Sequence, residues 1–251
     1  MRLLHIVATP RSHESNTIRI SNAIIEDLYA KYDDLHINVL DLFKADLPAV
    51  AGVNIETKYK LMTGQIIDDH HKSSWNAIEA TINQFLDADL YLITTPMWNF
   101  SIPYALKYYI DAIVQPGYLF QYDEFGVPHP MVHDKKMIIV TSRGGDYSAN
   151  SPLHAFDFLE PYLRSIFNFI GITDIHFINA QPMDINPELR RKSLLKAIGE
   201  ARSLVESNHL MSDEPDLPVE FPQGIKPKPL LVDTPVEKFA IGTSKVMQND
   251  P

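Results

Sequence analysis

Residues 90–113, LYLITTPMWNFSIPYALKYYIDAI, hold a strand, a stiff loop and a helix in one unbroken stretch. Residues 90–95 form a near-continuous apolar run rather than a strict alternation, the pattern of a strand covered on both faces. Pro96 and Pro103 bracket the loop, and beyond it Ile102, Leu106, Ile110 and Ile113 recur at helical spacing on one face. Outward from this unit the same grammar repeats. Residues 3–8 (LLHIVA), 36–40 (HINVL), 137–141 (MIIVT) and 175–180 (IHFINA) read as further strands. Helical faces follow the first strand (Ile18, Ser21, Ile25, Leu28, Tyr32), the fourth (Phe156, Leu159, Leu163, Phe167, Ile170) and the fifth (Leu194, Leu195, Ile198, Leu204). Strands alternating with helices imply an α/β fold: a five-stranded parallel sheet with right-handed crossovers and helices on both faces, simplest in the order 2-1-3-4-5.

Two segments depart from this rhythm. Residues 49–74 lengthen the second crossover with little apolar periodicity, and read as a surface excursion with room for a short helix. From residue 208 the chain is proline-rich (Pro215, Pro218, Pro222, Pro227, Pro229, Pro235, Pro251), which denies it helix or central strand. The expected organisation is a domain over residues 1–207 and an extension over 208–251, either a disordered tail or a segment packed on its own domain or on a partner subunit.

Composition narrows the functions. A formal charge of −10 excludes a general nucleic-acid or anionic-membrane surface, both of which need a cationic footprint. No run reaches membrane-spanning length and the N-terminus lacks a signal peptide's apolar core, so the expected setting is the cytoplasm. With no cysteine there is no disulfide, thiolate metal site or dithiol chemistry, and any electron transfer must be carried by a cofactor. Asp68-Asp69-His70-His71 has metal-ligating residue types, but adjacent residues diverge on a helix or strand; it reads as a solvated surface run, and no metal is expected. No G-x-S-x-G elbow is present for hydrolytic catalysis, and His5, inside a strand, reads as packed or hydrogen-bonded.

Ligands of open parallel sheets bind beyond the carboxyl ends of the strands, near the reversal of strand order. Three unusual loops sit there. Residues 9–17, TPRSHESNT, have no glycine but offer the hydroxyls of Thr9, Ser12, Ser15 and Thr17, the Asn16 amide and the N–H groups of a starting helix. They suit a phosphate monoester, or else a plain N-cap. Residues 96–103, PMWNFSIP, place Met97, Trp98, Asn99 and Phe100 where they could flank a planar ring, or else staple the next helix. Residues 141–146, TSRGGD, bring Ser142, Arg143, Gly144 and Gly145, whose backbone could approach a ligand carbonyl or simply turn. Each is weak alone; their convergence on equivalent strand ends is strong.

The stretches PMWNFSIPYALKYYIDAIVQPGYLFQY, TSRGGDY and FNFIGITDIHFI together resemble the FMN-dependent NADH-azoreductase and quinone reductase family, of flavodoxin-like three-layer fold, over about residues 2–205. The resemblance implies that Thr9, Ser15, Asn16 and Thr17 hold the ribityl phosphate of FMN. It implies that Pro96, Met97, Trp98, Asn99 and Phe100 border the isoalloxazine, and that Ser142, Arg143, Gly144 and Gly145 lie at its pyrimidine edge. It further implies a homodimer with sites built from both subunits. The chemistry would be ping-pong: NADH or NADPH delivers hydride to flavin N5, and a quinone or azo compound then takes two electrons. No obligatory protein acid or base is expected. Phe120 and Tyr122 are the candidate aromatic walls for the acceptor, or else ordinary packing. Two rivals share the fold: a one-electron carrier, and a non-redox binding or regulatory module.

Overall fold

The computed structural model describes residues 1–11, 14–62, 65–207 and 210. A five-stranded parallel sheet runs β2 (His36–Asp41), β1 (Arg2–Val7), β3 (Leu90–Pro96), β6 (Lys136–Ser142) and β7 (Asp174–Ala180). With the small hairpin strands β4 (Phe120–Tyr122) and β5 (Pro128–Pro130) set aside, this is the order 2-1-3-4-5. Side chains alternate across the sheet. Leu4, Ile6, Tyr91, Ile93, Met137 and Ile139 face one buried layer, while Leu3, Leu90, Leu92, Ile138 and Val140 face the other. Double coverage explains why the inner strands are apolar without interruption.

Helices α3 (Asp69–Leu86), α4 (Tyr104–Ile113) and α5 (Leu159–Ile170) cover the first face. Helices α1 (Asn16–Lys31) and α6 (Pro187–Glu206) cover the second. Local chemistry sets their ends. Asn186 caps α6 by accepting from Leu189 N at 2.9 Å, with Pro187 in the first turn. Gly171 ends α5 at φ 110, where a Cβ would come within 2.1 Å of the Val132 carbonyl, so only glycine serves. Among the described residues, no helix is long and apolar enough to cross a membrane.

Several expectations need correction. The inward face of α1 is Thr17, Ile20, Ser21, Ile24 and Leu28, with Ile18 and Ile25 only partly covered. Polar Thr17 and Ser21 turn inward because each finds a hydroxyl partner, Ser15 and Thr94 respectively. Phe156 precedes α5 in a 3-10 turn and is exposed, and Leu195 is exposed beside buried Leu194, since neighbours on a helix diverge by about 100°. Residues 49–74 contain α2 (Val53–Met62) and the start of α3, so the excursion is mostly helical. Nor is the Asp68–His71 run wholly solvated. Asp68 caps α3, His71 is buried, and its Nδ1 lies 2.7 Å from Asp68 Oδ1. The His71 amide and imidazole hold the Asp68 carboxyl down to about 2. Apart from Leu210, which packs with α1 and α6, the extension lies outside the described residues, as does Ser12.

Candidate active site

At the carboxyl ends of β1, β3 and β6 the loops close around a cleft of about 190 Å³. Thr9, Ser15, Asn16, Pro96, Met97, Trp98, Ser142, Arg143 and Gly144, named from the sequence, all line it. The loops after β3 and β6 are tied together by a bond from Met97 N to Ser142 O at 2.9 Å.

The first wall is the start of α1. Ser15 stands at the N-cap position, but its hydroxyl makes no capping bond. It pairs instead with Thr17 Oγ1 at 2.7 Å and accepts from Thr9 Oγ1 at 3.4 Å. The plain N-cap reading therefore fails. The helix's leading N–H groups are left by the Ser15 side chain to face the cleft end, where backbone N–H and the dipole favour an anion. Thr17 is wholly buried and acts behind this wall rather than on it.

The second wall is Pro96 to Trp98, which leads into a tight turn whose Asn99 and Phe100 lie just beyond the lining residues. Trp98 and Ser101 exchange both backbone bonds at 2.9 Å, with Asn99 at φ 47 and Phe100 at φ 70 between them. Two successive left-handed residues give the mirror-image hairpin turn, which glycine would occupy freely and a phenylalanine occupies under strain. The fold fixes it: Phe158 N donates to Phe100 O at 3.0 Å and the Phe100 ring packs 5.4 Å from Phe156. Strain retained under such restraint is typical of functional turns. Among the described residues, the Asn99 and Phe100 amides donate to nothing in the protein. Trp98 leans on Phe43 at 5.9 Å and Tyr104 at 6.5 Å, half-exposed beside the cleft.

The third wall is the loop after β6. Its Arg143 side chain turns away from the cleft into the protein, 1% exposed. Nη1 donates to Asp157 Oδ2 at 2.6 Å, Nη2 to Glu160 Oε2 at 3.3 Å and Nε to Thr141 Oγ1 at 3.0 Å. The Arg143 backbone is also taken, donating to Ala180 O at 3.0 Å and accepting from Met183 N at 2.9 Å. Arg143 is thus a support of the loop. The Gly144 and Gly145 amides, by contrast, have no acceptor among the described residues.

Phe120 and Tyr122 stand elsewhere. Their hairpin lies between the end of α4 and the start of β6, beside the end of α5, and therefore at the amino ends of the strands. Phe120 is buried against Phe169 at 4.7 Å, whereas Tyr122 is half-exposed. Neither can line this chain's own cleft. Pro10, Arg11, Met183 and Asp184 line it without having been expected. The last two follow β7, and the strand-end rule that found the other loops would have reached them, although they offer neither glycine nor hydroxyl.

Beneath the cleft, His5 Nε2 lies 2.8 Å from Thr94 Oγ1, which is 2.5 Å from Ser21 Oγ. Burial pushes the imidazole down to about 4, so it is a neutral hydrogen-bonding group.

A family model described as flavodoxin-like fold matches residues 1–205. The chain is 34% identical over 203 residues to the FMN-dependent NADH:quinone oxidoreductase of Nitratidesulfovibrio vulgaris (strain DP4), covering 80% of this chain and 97% of that protein. It is 32% identical over 207 residues to the FMN-dependent NADH:quinone oxidoreductase 3 of Pseudomonas fluorescens, covering 82% and 96%. Among solved structures, an azoreductase from Bacillus anthracis str. Sterne matches with a TM-score of 0.75 at 25% identity, over 82% of this chain and 99% of that one.

Proposed function

The chain belongs to the flavodoxin-like family of FMN-dependent NADH:quinone oxidoreductases and azoreductases, and from that premise we propose that it passes two electrons from NADH or NADPH through FMN to quinones or azo compounds. The observation that carries the reading is one cleft lined by the start of α1, the loop after β3 and the Gly144 backbone, with the acceptor-free amides of Asn99, Phe100 and Gly145 next along the same loops. Such donors suit a phosphate at one end and the polar edge of a flat ring at the other. Thr9, Ser15 and Asn16 would hold the phosphate, with Thr17 fixing Ser15 from behind. Pro96, Met97 and Trp98 would border the ring, the Asn99 and Phe100 amides would meet its edge, and Ser142, Gly144 and Gly145 would receive its pyrimidine side. Bound FMN supplies the two-electron chemistry; the protein binds, orients and limits water at the ring. No side chain is required to move a proton.

The same reading includes a homodimer. A cleft of about 190 Å³ is smaller than the several hundred cubic ångströms usual for a ligand of this kind, so one chain covers only part of the flavin. Trp98 on the cleft's edge and Tyr104 beside it are exposed aromatics, as are Phe100, Phe156 and Phe158 next along, as in a surface meant to be covered. Tyr122, at the far end of its own chain, serves as an acceptor wall only by reaching the cleft of a second copy. A cytoplasmic setting, where the dinucleotide donor is held, completes the proposal.

The test is an anaerobic absorbance spectrum of the purified protein with FMN, first with NADH and then with a benzoquinone. Bleaching by the nucleotide and recovery with the quinone are expected. A bound flavin that neither NADH nor NADPH bleaches would establish the one-electron carrier instead. A protein that refuses FMN would establish the non-redox module.

A further inference from the structure

Within the cleft one carboxylate stands out. Asp184 follows β7 and folds back over the loop after β6: its amide donates to Gly144 O at 3.0 Å, and a Cβ built on Gly144 would lie 2.8 Å from Asp184 Oδ2. The absence of a side chain at Gly144 is what lets the carboxylate settle against the loop backbone. Its compensation is partial. Arg190 Nη2 lies 3.4 Å from Oδ1, while the same guanidinium spends Nε on Met183 O at 2.7 Å. The carboxylate side chain is 76% exposed.

Position decides what this charge does. Asp184 lies on the β6 side of the cleft, two strands from the β1 loop, or about 10 Å at the usual strand spacing. It therefore stands away from the end suited to a phosphate, where a second anion would oppose binding, and beside the end suited to the ring's pyrimidine edge. Two-electron reduction loads that edge with negative charge, and a fixed negative charge nearby disfavours the reduced form more than the neutral oxidised form.

Resting on the FMN reading of this cleft, we propose that Asp184 sets the flavin's reduction potential. By standing against the Gly144 backbone, its carboxylate weakens binding of reduced FMN relative to oxidised FMN and makes the bound flavin a stronger reductant toward its acceptors. Asp184 acts through its field and donates no proton. Bound flavin would cover the carboxylate and reduce its screening by water, so the effect is on the order of tenfold in the ratio of the two affinities. For a two-electron couple, tenfold corresponds to about 30 mV.

The experiment compares wild type, Asp184→Asn and Asp184→Glu, each with FMN, by titration for affinity and by redox-dye equilibration for potential, at low and at high salt. Asp184→Asn is expected to raise the potential by about tenfold in the equilibrium, and Asp184→Glu to stay within threefold of wild type. The shift is expected to shrink in high salt, as a charge effect must and a packing effect need not. A shift under twofold for Asp184→Asn with FMN still bound would overturn the assignment, and so would a shift equal at both salts. Failure of all three proteins to bind FMN would instead remove the functional reading beneath it, a distinct outcome that takes this inference with it.

Discussion

Replacing Asp157 by asparagine isolates the charge that holds the loop after β6. The Arg143 guanidinium is 1% exposed, and Asp157, 6% exposed, is its shorter-range anion at 2.6 Å. Removing one partner of a buried pair costs about 3–5 kcal/mol, because the remaining charge stays desolvated. Glu160 still faces Nη2 at 3.3 Å, which places Asp157→Asn at the lower end, about 3 kcal/mol. Asparagine keeps the other duty of the residue, since Asp157 Oδ1 accepts from Leu159 N and Glu160 N at the start of α5. Asp157→Ala loses that cap as well, about 1 kcal/mol more. Combining Asp157→Asn with Arg143→Met removes both charges, and the double variant should be more stable than Asp157→Asn alone by at least about 1 kcal/mol, because neither buried charge is then left without its partner. Urea unfolding measures this cycle. At a slope of about 2 kcal/mol/M, a loss of 3 kcal/mol moves the midpoint by about 1.5 M. A single variant costing under about 1 kcal/mol, or a double variant no better than Asp157→Asn alone, would refute the claim that these two charges depend on one another.

Buried His5 makes stability depend on pH. Its folded pKa of about 4 lies below the ordinary value of 6.5, so between these limits the unfolded chain binds a proton that the native protein refuses. The stability is complete above pH 6.5 and is lost as pH falls toward 4, by about 3 kcal/mol in all; His5→Gln should lack this part of the acid slope in paired urea titrations at pH 4.5 and 7.5. Phe100→Gly relieves a left-handed phenylalanine and removes an exposed aromatic; thermal unfolding should rise by the equivalent of up to about 1 kcal/mol while quinone turnover falls, and a loss of stability would mean that the ring contact with Phe156 outweighs the strain. Ser15→Asp puts a fixed anion at the uncapped start of α1; it should lower FMN affinity at least tenfold in a fluorescence titration while strengthening the helix terminus, and unchanged affinity would move the phosphate elsewhere.

The fold was legible because double coverage leaves a plain mark. For β1, β3, β6 and β7 the apolar runs give boundaries within a residue or so, and alternation with helices leaves little choice of order. The β4–β5 hairpin was hidden because its paired segments are three residues each and one carries Pro128 and Pro130, which argue against a strand. Helix α3 was hidden for a different reason. Its first turns, DHHKSS, are wholly polar, and the inward apolar residues Trp75, Ile78, Ile82 and Phe85 begin only after the segment has already read as surface. For the site, strand-end reasoning located three loops, but it could not tell which way a side chain turns. Arg143 is expected with its loop at the ring's edge; the anions that turn its side chain inward are 14 and 17 residues further along, and only the tertiary fold brings them to the guanidinium.

The inward turn of Arg143 points to how the site is built. The donors assigned to the flavin are main-chain N–H groups, so side chains of the same loops are free to act as supports. Thr17 draws the Ser15 hydroxyl away from capping, the Phe158 amide holds the strained turn at Phe100, and Arg143 anchors the loop that presents Gly144. Each support lies next to the amide it exposes and buries its own polar groups, which makes the geometry depend on the fold rather than on residues touching the ligand. Substitution of one of the exposed aromatics should therefore alter the choice of acceptor before it alters flavin binding. Loss of a support should do the reverse, since an amide displaced by even about 1 Å no longer meets the hydrogen-bond distance it was held to provide.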